Sequence, residues 1–150
     1  MKKLSILLIA SIFSIAAKAE VIGSITTNSK LLGSDDRIQI EAFDDSKVQG
    51  VACHLSRAVT GGITGDLGLA TDVTEVSIAC RQVGKINFDP KSLKAGEEVF
   101  QAGMSLLFKK LHVVRFYDSK RQVLIYLTFS DKLIDGSPKN SISSVPIQNW

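Results

Sequence analysis

Cys53 and Cys80 each sit inside a segment whose apolar residues recur at every second position, and the chain has no other cysteine. In VACHLSR, Val51, Cys53 and Leu55 alternate with Ala52 and His54; in VSIACRQV, Val76, Ile78 and Cys80 do the same. Period-two alternation puts such side chains on one face of a strand. Both sulfurs are therefore expected on apolar faces, with His54 pointing away. In an oxidising compartment the two form one disulfide that ties off the glycine-rich span between them. A redox-active dithiol is usually written Cys-x-x-Cys at a helix start, a spacing absent here. Closing a loop of this length stabilises by roughly 3–4 kcal/mol in the chain-entropy description.

The oxidising compartment is implied by the first residues, MKKLSILLIASIFSIAAKAE. Lys2 and Lys3 precede an apolar run broken only by Ser5, Ser11 and Ser14, and Ala17-Lys18-Ala19 closes it. That order reads as a secretory signal peptide, residues 1–19, cleaved after Ala19. A spanning helix needs about 20 apolar residues, so no membrane span is expected in the mature protein. The chain carries 18 basic and 15 acidic side chains. Losing Lys2, Lys3 and Lys18 with the leader brings the remainder to electrical balance. A balanced chain without a Lys/Arg cluster lacks the footprint of nucleic-acid binding. Residues 20–150 suit one domain, large enough to bury its own core.

Strand-like segments at 21–27, 37–43, 51–57, 76–84, 105–118 and 122–130 are rich in β-branched and aromatic residues. Turn-forming stretches such as GSDD, DDSKVQG and DGSPKNS separate them. Short helical turns are expected at 90–95 and 72–76. The fold class is mainly β: a single antiparallel sandwich or partly open barrel with one or two short helices. In RFYDSKRQVLIYLTF, a turn at 118–121 would set Phe116 opposite Val123, Val114 opposite Ile125 and His112 opposite Leu127. Asp118 and Arg121 would flank it as an exposed ion pair. The other face, with Arg115, Tyr117, Tyr126 and Thr128, is expected to be solvated or to floor a binding groove.

Familiar chemistries are missing. TGGITGDLGLATD contains no lysine and no Gly-x-Gly-x-x-Gly, so neither a P-loop nor a dinucleotide fingerprint is present. Gly61, Gly62, Gly65 and Gly68 read instead as a compact surface loop. GMSLL lacks the closing glycine of a nucleophile elbow. His54 and His112, the two histidines, have no ligand spacing and read as structural or surface residues, so no metal site and no cofactor is expected. The aspartates, including the pairs Asp35-Asp36 and Asp44-Asp45, read as turn residues that bond nearby backbone.

EAFDD, SRAVTGGITGDLGLATD, ACRQVG, VVRFYDSKRQVLIYLTFSDK and GSPKNSISSVP, taken in order, resemble the CreA family of small exported proteins of Gram-negative bacteria. The likeness runs from about Val21 to Pro146. It implies a periplasmic location and carries the family label of catabolite regulation, and it brings no catalytic residue with it. The combined reading is a non-enzymatic binding or accessory protein. Its partner would be a small ligand, an envelope component or another protein. Arg57, Gly61, Gly62, Arg115, Tyr117, Tyr126, Lys139 and Asn140 are the candidate binding residues, with Lys139 and Asn140 presenting donors to an anion. The alternative is a small hydrolase with a carboxylate pair, which requires one carboxyl of raised pKa.

Overall fold

A computed structural model describes residues 19–67, 75–103, 110–131 and 138–150. Its elements are β1 (Glu20–Asn28), β2 (Asp36–Asp44), β3 (Gln49–Val59), α1 (Gly62–Asp66), β4 (Val76–Asn87), β5 (Glu97–Gly103), β6 (Lys110–Asp118), β7 (Val123–Ser130) and β8 (Asn140–Pro146). They form two antiparallel four-stranded sheets, β1-β2-β3-β4 and β5-β6-β7-β8, each in chain order. The fold is mainly β, as the alternation predicts, and open rather than a closed barrel. No helix among the described residues is long and apolar enough to cross a membrane.

The sheets meet where β4 lies against β7 and β8. The first contributes Phe43, Val51, Cys53, Leu55, Ile78 and Cys80 to the core; the second contributes Phe100, Leu111, Val113, Leu124, Tyr126 and Val145. Each fully buried aliphatic side chain here is worth about 1.5–3 kcal/mol. Phe43 and Phe100 stack across the interface with centroids 4.7 Å apart. Cys53 is directly opposite Cys80 in the β3–β4 register, and the two are bonded. The backbone N–H of Cys80 donates to Ser143 Oγ at 2.8 Å, joining the disulfide strand to β8.

Four expectations need correction. Residues 90–92 form a turn, not a helix; the short helix is α1, inside the span read as loop. The other helical turn, 72–76, falls mostly outside the described residues, and Val76 opens β4. The β6–β7 register pairs Phe116 with Ile125, Val114 with Leu127 and His112 with Phe129, because Asp118 pairs with Val123 around a longer loop. That loop accommodates Gln122 at φ 54°. The Asp118–Arg121 ion pair is present at 2.7 Å, with Arg121 largely exposed.

The fourth correction concerns which face is buried. Arg115, Tyr126 and Thr128 point into the core, and the set Val114, Val123, Ile125 and Leu127 is only half-buried. The inward face also carries Leu111, Val113 and Leu124, and its buried Arg115, Tyr126 and Thr128 each make hydrogen bonds, although Arg115 Nε has no partner. Thr128 Oγ1, for example, donates to the His112 carbonyl at 3.1 Å.

Candidate functional site

On the inward face of β3, burial declines from Leu55, 1% exposed, to the partly exposed Arg57. There the ends of β3, β4 and β8 leave a cleft of about 540 Å³. Arg57, Glu75, Lys139 and Asn140 supply its polar lining, with Ile38 and Val76 among the apolar wall. The sequence-predicted Arg57, Lys139 and Asn140 thus converge although 82 residues separate Arg57 from Lys139 in the chain.

Arg57 is held from behind. Its Nε and Nη2 donate to Glu41 Oε1 at 3.2 and 2.7 Å, and Gln39 Nε2 donates to the same oxygen at 2.5 Å. Glu41 is buried, and its Oε2 has no hydrogen-bond partner. Across the mouth, Lys139 pairs with Glu75. The Lys139 hydrogen bond and charge hold the Glu75 carboxyl below the usual carboxylate range. Asn140 Nδ2 donates to the Pro138 carbonyl at 3.3 Å.

Arg115, Tyr117 and Tyr126 lie elsewhere. Arg115 and Tyr126 are fully buried. Arg115 Nη1 donates to both oxygens of Asp45 at 2.5 Å, Nη2 donates to Glu97 Oε2 at 2.6 Å, and the Tyr126 hydroxyl donates to Asp45 Oδ2 at 3.0 Å. Lys47 completes the group by pairing with Glu97. Burial, then the charge of Asp45, pushes the Tyr126 hydroxyl far above its ordinary value. Burial alone would raise Glu97, but the Lys47 hydrogen bond and the Arg115 charge outweigh it and hold that carboxyl low. Tyr117 meets Phe88 edge-on at 5.2 Å and, with Arg115, lines a separate pocket of about 290 Å³.

Gly61 and Gly62 pack against the β1–β2 loop. Gly62 N donates to the Ser34 carbonyl at 2.6 Å, and Gly61 N donates to Asp36 Oδ1 at 2.8 Å. Asp66 accepts from Ser34 N at 2.8 Å and Ser34 Oγ at 2.5 Å. These contacts hold the glycine-rich span against the β1–β2 loop. Gly68 lies outside the described residues.

Sequence reasoning missed two arrangements. Asp45 does bond nearby backbone, accepting from Lys47 N at 2.9 Å, yet it is buried and faces Arg115. His112 sits between carboxylates: Nδ1 is 2.5 Å from Glu98 Oε1 and Nε2 is 2.9 Å from Asp131 Oδ1. His54 is exposed on the outer face, as the alternation predicts. No group of three His, Cys, Asp or Glu side chains arranged to hold a metal ion occurs among the described residues.

Together these features define a small disulfide-tied protein of two packed β-sheets with a charged cleft at the β3, β4 and β8 ends. The chain belongs to the CreA family: residues 22–150 match the family described as CreA protein. Protein CreA of Escherichia coli (strain K12) is 54% identical over 137 residues, spanning 89% of this chain and 87% of the relative. The CreA proteins of Escherichia coli O6:H1 and O157:H7 match to the same extent. No solved structure matches the chain.

Proposed function

We propose that this CreA-family chain is an exported periplasmic accessory protein that holds a small anionic ligand in the Arg57–Lys139–Asn140 cleft. The supporting observation is the convergence of those three side chains on one concavity. Arg57 is braced against Glu41, which Gln39 holds in turn, so little side-chain freedom is lost when a ligand binds. Lys139 would exchange Glu75 for the incoming anion, and Ile38 and Val76 would receive its apolar part. Export is supported by the leader-like residues 1–19 and by the start of β1 at Glu20.

A carboxylate-pair hydrolase needs a carboxyl that keeps its proton near neutrality. Glu75, the carboxyl that lines this cleft, is held below the ordinary range by Lys139, which favours the binding reading for the cleft.

Thermal unfolding of the periplasmic protein against small organic acids and phosphorylated metabolites tests this. At least one is expected to raise the melting temperature, with the shift lost in Lys139→Ala and Asn140→Ala. No shift with any compound, or a shift that survives both substitutions, would count against the cleft.

A further inference from the structure

We propose that β1 is an interface strand whose occupant is β1 of a second copy of this chain, paired antiparallel to it. All nine residues of β1 are exposed, and β2 is the only described element that packs extensively against it. The strand ends its sheet, so the N–H and C=O groups along its outer side meet no other described strand. Proteins guard such an edge with lysine, proline, brevity or a covering element. EVIGSITTN has neither lysine nor proline, and its two register shifts, around Ile22 and Thr27, leave Gly23–Thr26 regular between them. The other sheet ends differ. β4 packs against β7 and β8, and β5 opens with Glu97 and Glu98, of which Glu97 is pinned by Lys47 and Arg115.

Side chains and charge select the second copy. Five of the twelve large apolar side chains that stay exposed among the described residues, Val21, Ile22, Ile25, Leu31 and Leu32, lie on β1 or just beyond it. With the rest of the strand they offer a surface comparable to the roughly 800 Å² that each partner gives to a standard interface. Residues 21–29 carry no charge, so two copies meet there without repulsion. Charge lies only at the ends: Glu20 at the start and, beyond the finish, the Lys30–Asp36 pair, 2.8 Å apart. Antiparallel pairing sets Glu20 of each copy towards the Lys30 end of the other, whereas parallel pairing would set Glu20 against Glu20. It also carries Leu31 and Leu32 of one copy towards Val21 and Ile22 of the other. The arrangement closes on itself about a two-fold axis, and each strand completes the other's open edge.

Sedimentation velocity of the full processed protein over a wide concentration range tests the pairing. The mass is expected to double as concentration rises. Ile25→Lys places a charge at the centre of the regular stretch and should weaken the dimer by about tenfold or more. Ile25 is 74% exposed, so the core is untouched, and circular dichroism of the dilute variant should match the wild type. Ile142→Lys, on the exposed face of β8, and Lys139→Ala, in the cleft, should leave the doubling intact, which keeps this interface separable from the ligand reading. In the wild type itself, amide exchange of Gly23–Thr26 should slow with concentration while that of β8 stays constant. A monomer at every concentration would overturn the proposal. So would a dimer indifferent to Ile25→Lys, or β1 amides that slow only when a foreign extended peptide is added.

Discussion

Arg115 of β6 and Asp45 of the β2–β3 turn lie on different sheets and meet through both carboxylate oxygens at 2.5 Å. With Tyr126 on the same aspartate, the contact fixes the turn of one sheet against the centre of the other. Asp45→Asn leaves a buried guanidinium short of its counter-charge and is expected to cost about 3–5 kcal/mol. Tyr126→Phe removes one hydrogen bond and should cost about 1–2 kcal/mol. Urea unfolding with unchanged m values would check the order. Equal costs would mean that the ion pair does not join the sheets.

His112 gives the protein a pH dependence. A neutral imidazole has one N–H, yet both ring nitrogens face carboxylate oxygens, of Glu98 on β5 and of Asp131 after β7. Burial pushes the ring's pKa down, but the bonds and charges of Glu98 and Asp131 outweigh it and raise it above 6.5. Folding therefore favours the protonated ring. That stabilisation is complete below pH 6.5 and is lost as pH rises through the higher folded value. Melting temperature against pH should fall through that window in the wild type and flatten in His112→Gln. A wild-type profile already flat there would contradict the bridge.

The Cys53–Cys80 bond closes a separation of 27 residues between two strands that already pair, and both sulfurs are fully buried. Reduction, or Cys53→Ala with Cys80→Ala, should cost about 2–4 kcal/mol without losing the β-sheet signal. Circular dichroism and denaturant unfolding of both forms check it. Protein from the native host should resist alkylation until reduced. Free thiols in freshly extracted protein would refute the bridge.

The core strands around the cysteines were legible because one face is buried and the other wet, so alternation names the inward residues correctly. The β6–β7 hairpin misled for the opposite reason. Both of its faces carry apolar residues, and nothing local says that Arg115 and Tyr126 will find acceptors on the other sheet. β8 was missed because NSISSVP is mostly polar. Its place is explained by pairing along its length with β7 and by the Ser143 contact to Cys80, 63 residues away in the chain. The cleft was half legible: its cations were singled out, but Glu41, the brace behind Arg57, looked like one acidic residue among many.

Gly61 separates packing from flexibility as the reason for the glycine-rich span. A Cβ on Gly61 would lie 2.0 Å from the Ser34 carbonyl oxygen, and one on Gly65 would lie 2.1 Å from that of Thr60. Both are backbone contacts that cannot step aside. Gly23 has nothing within 4 Å, and alanine there should be neutral or stabilising by about 0.5 kcal/mol. Gly61→Ala is expected to cost about 1–3 kcal/mol and to undock the two loops. The loss has a local reporter. The Lys30 hydrogen bond, then the Gly61 N–H and Asn28, hold the Asp36 carboxyl at about 2. Its contribution to folding is present above pH 3.8 and lost as pH falls through about 2. In Gly61→Ala the Asp36 carboxyl should titrate closer to 3.8 by carbon-detected NMR, while Gly23→Ala leaves it unmoved. If Gly61→Ala melts like the wild type and Asp36 stays low, the span needs glycine for some reason other than the close approach of its neighbouring loop.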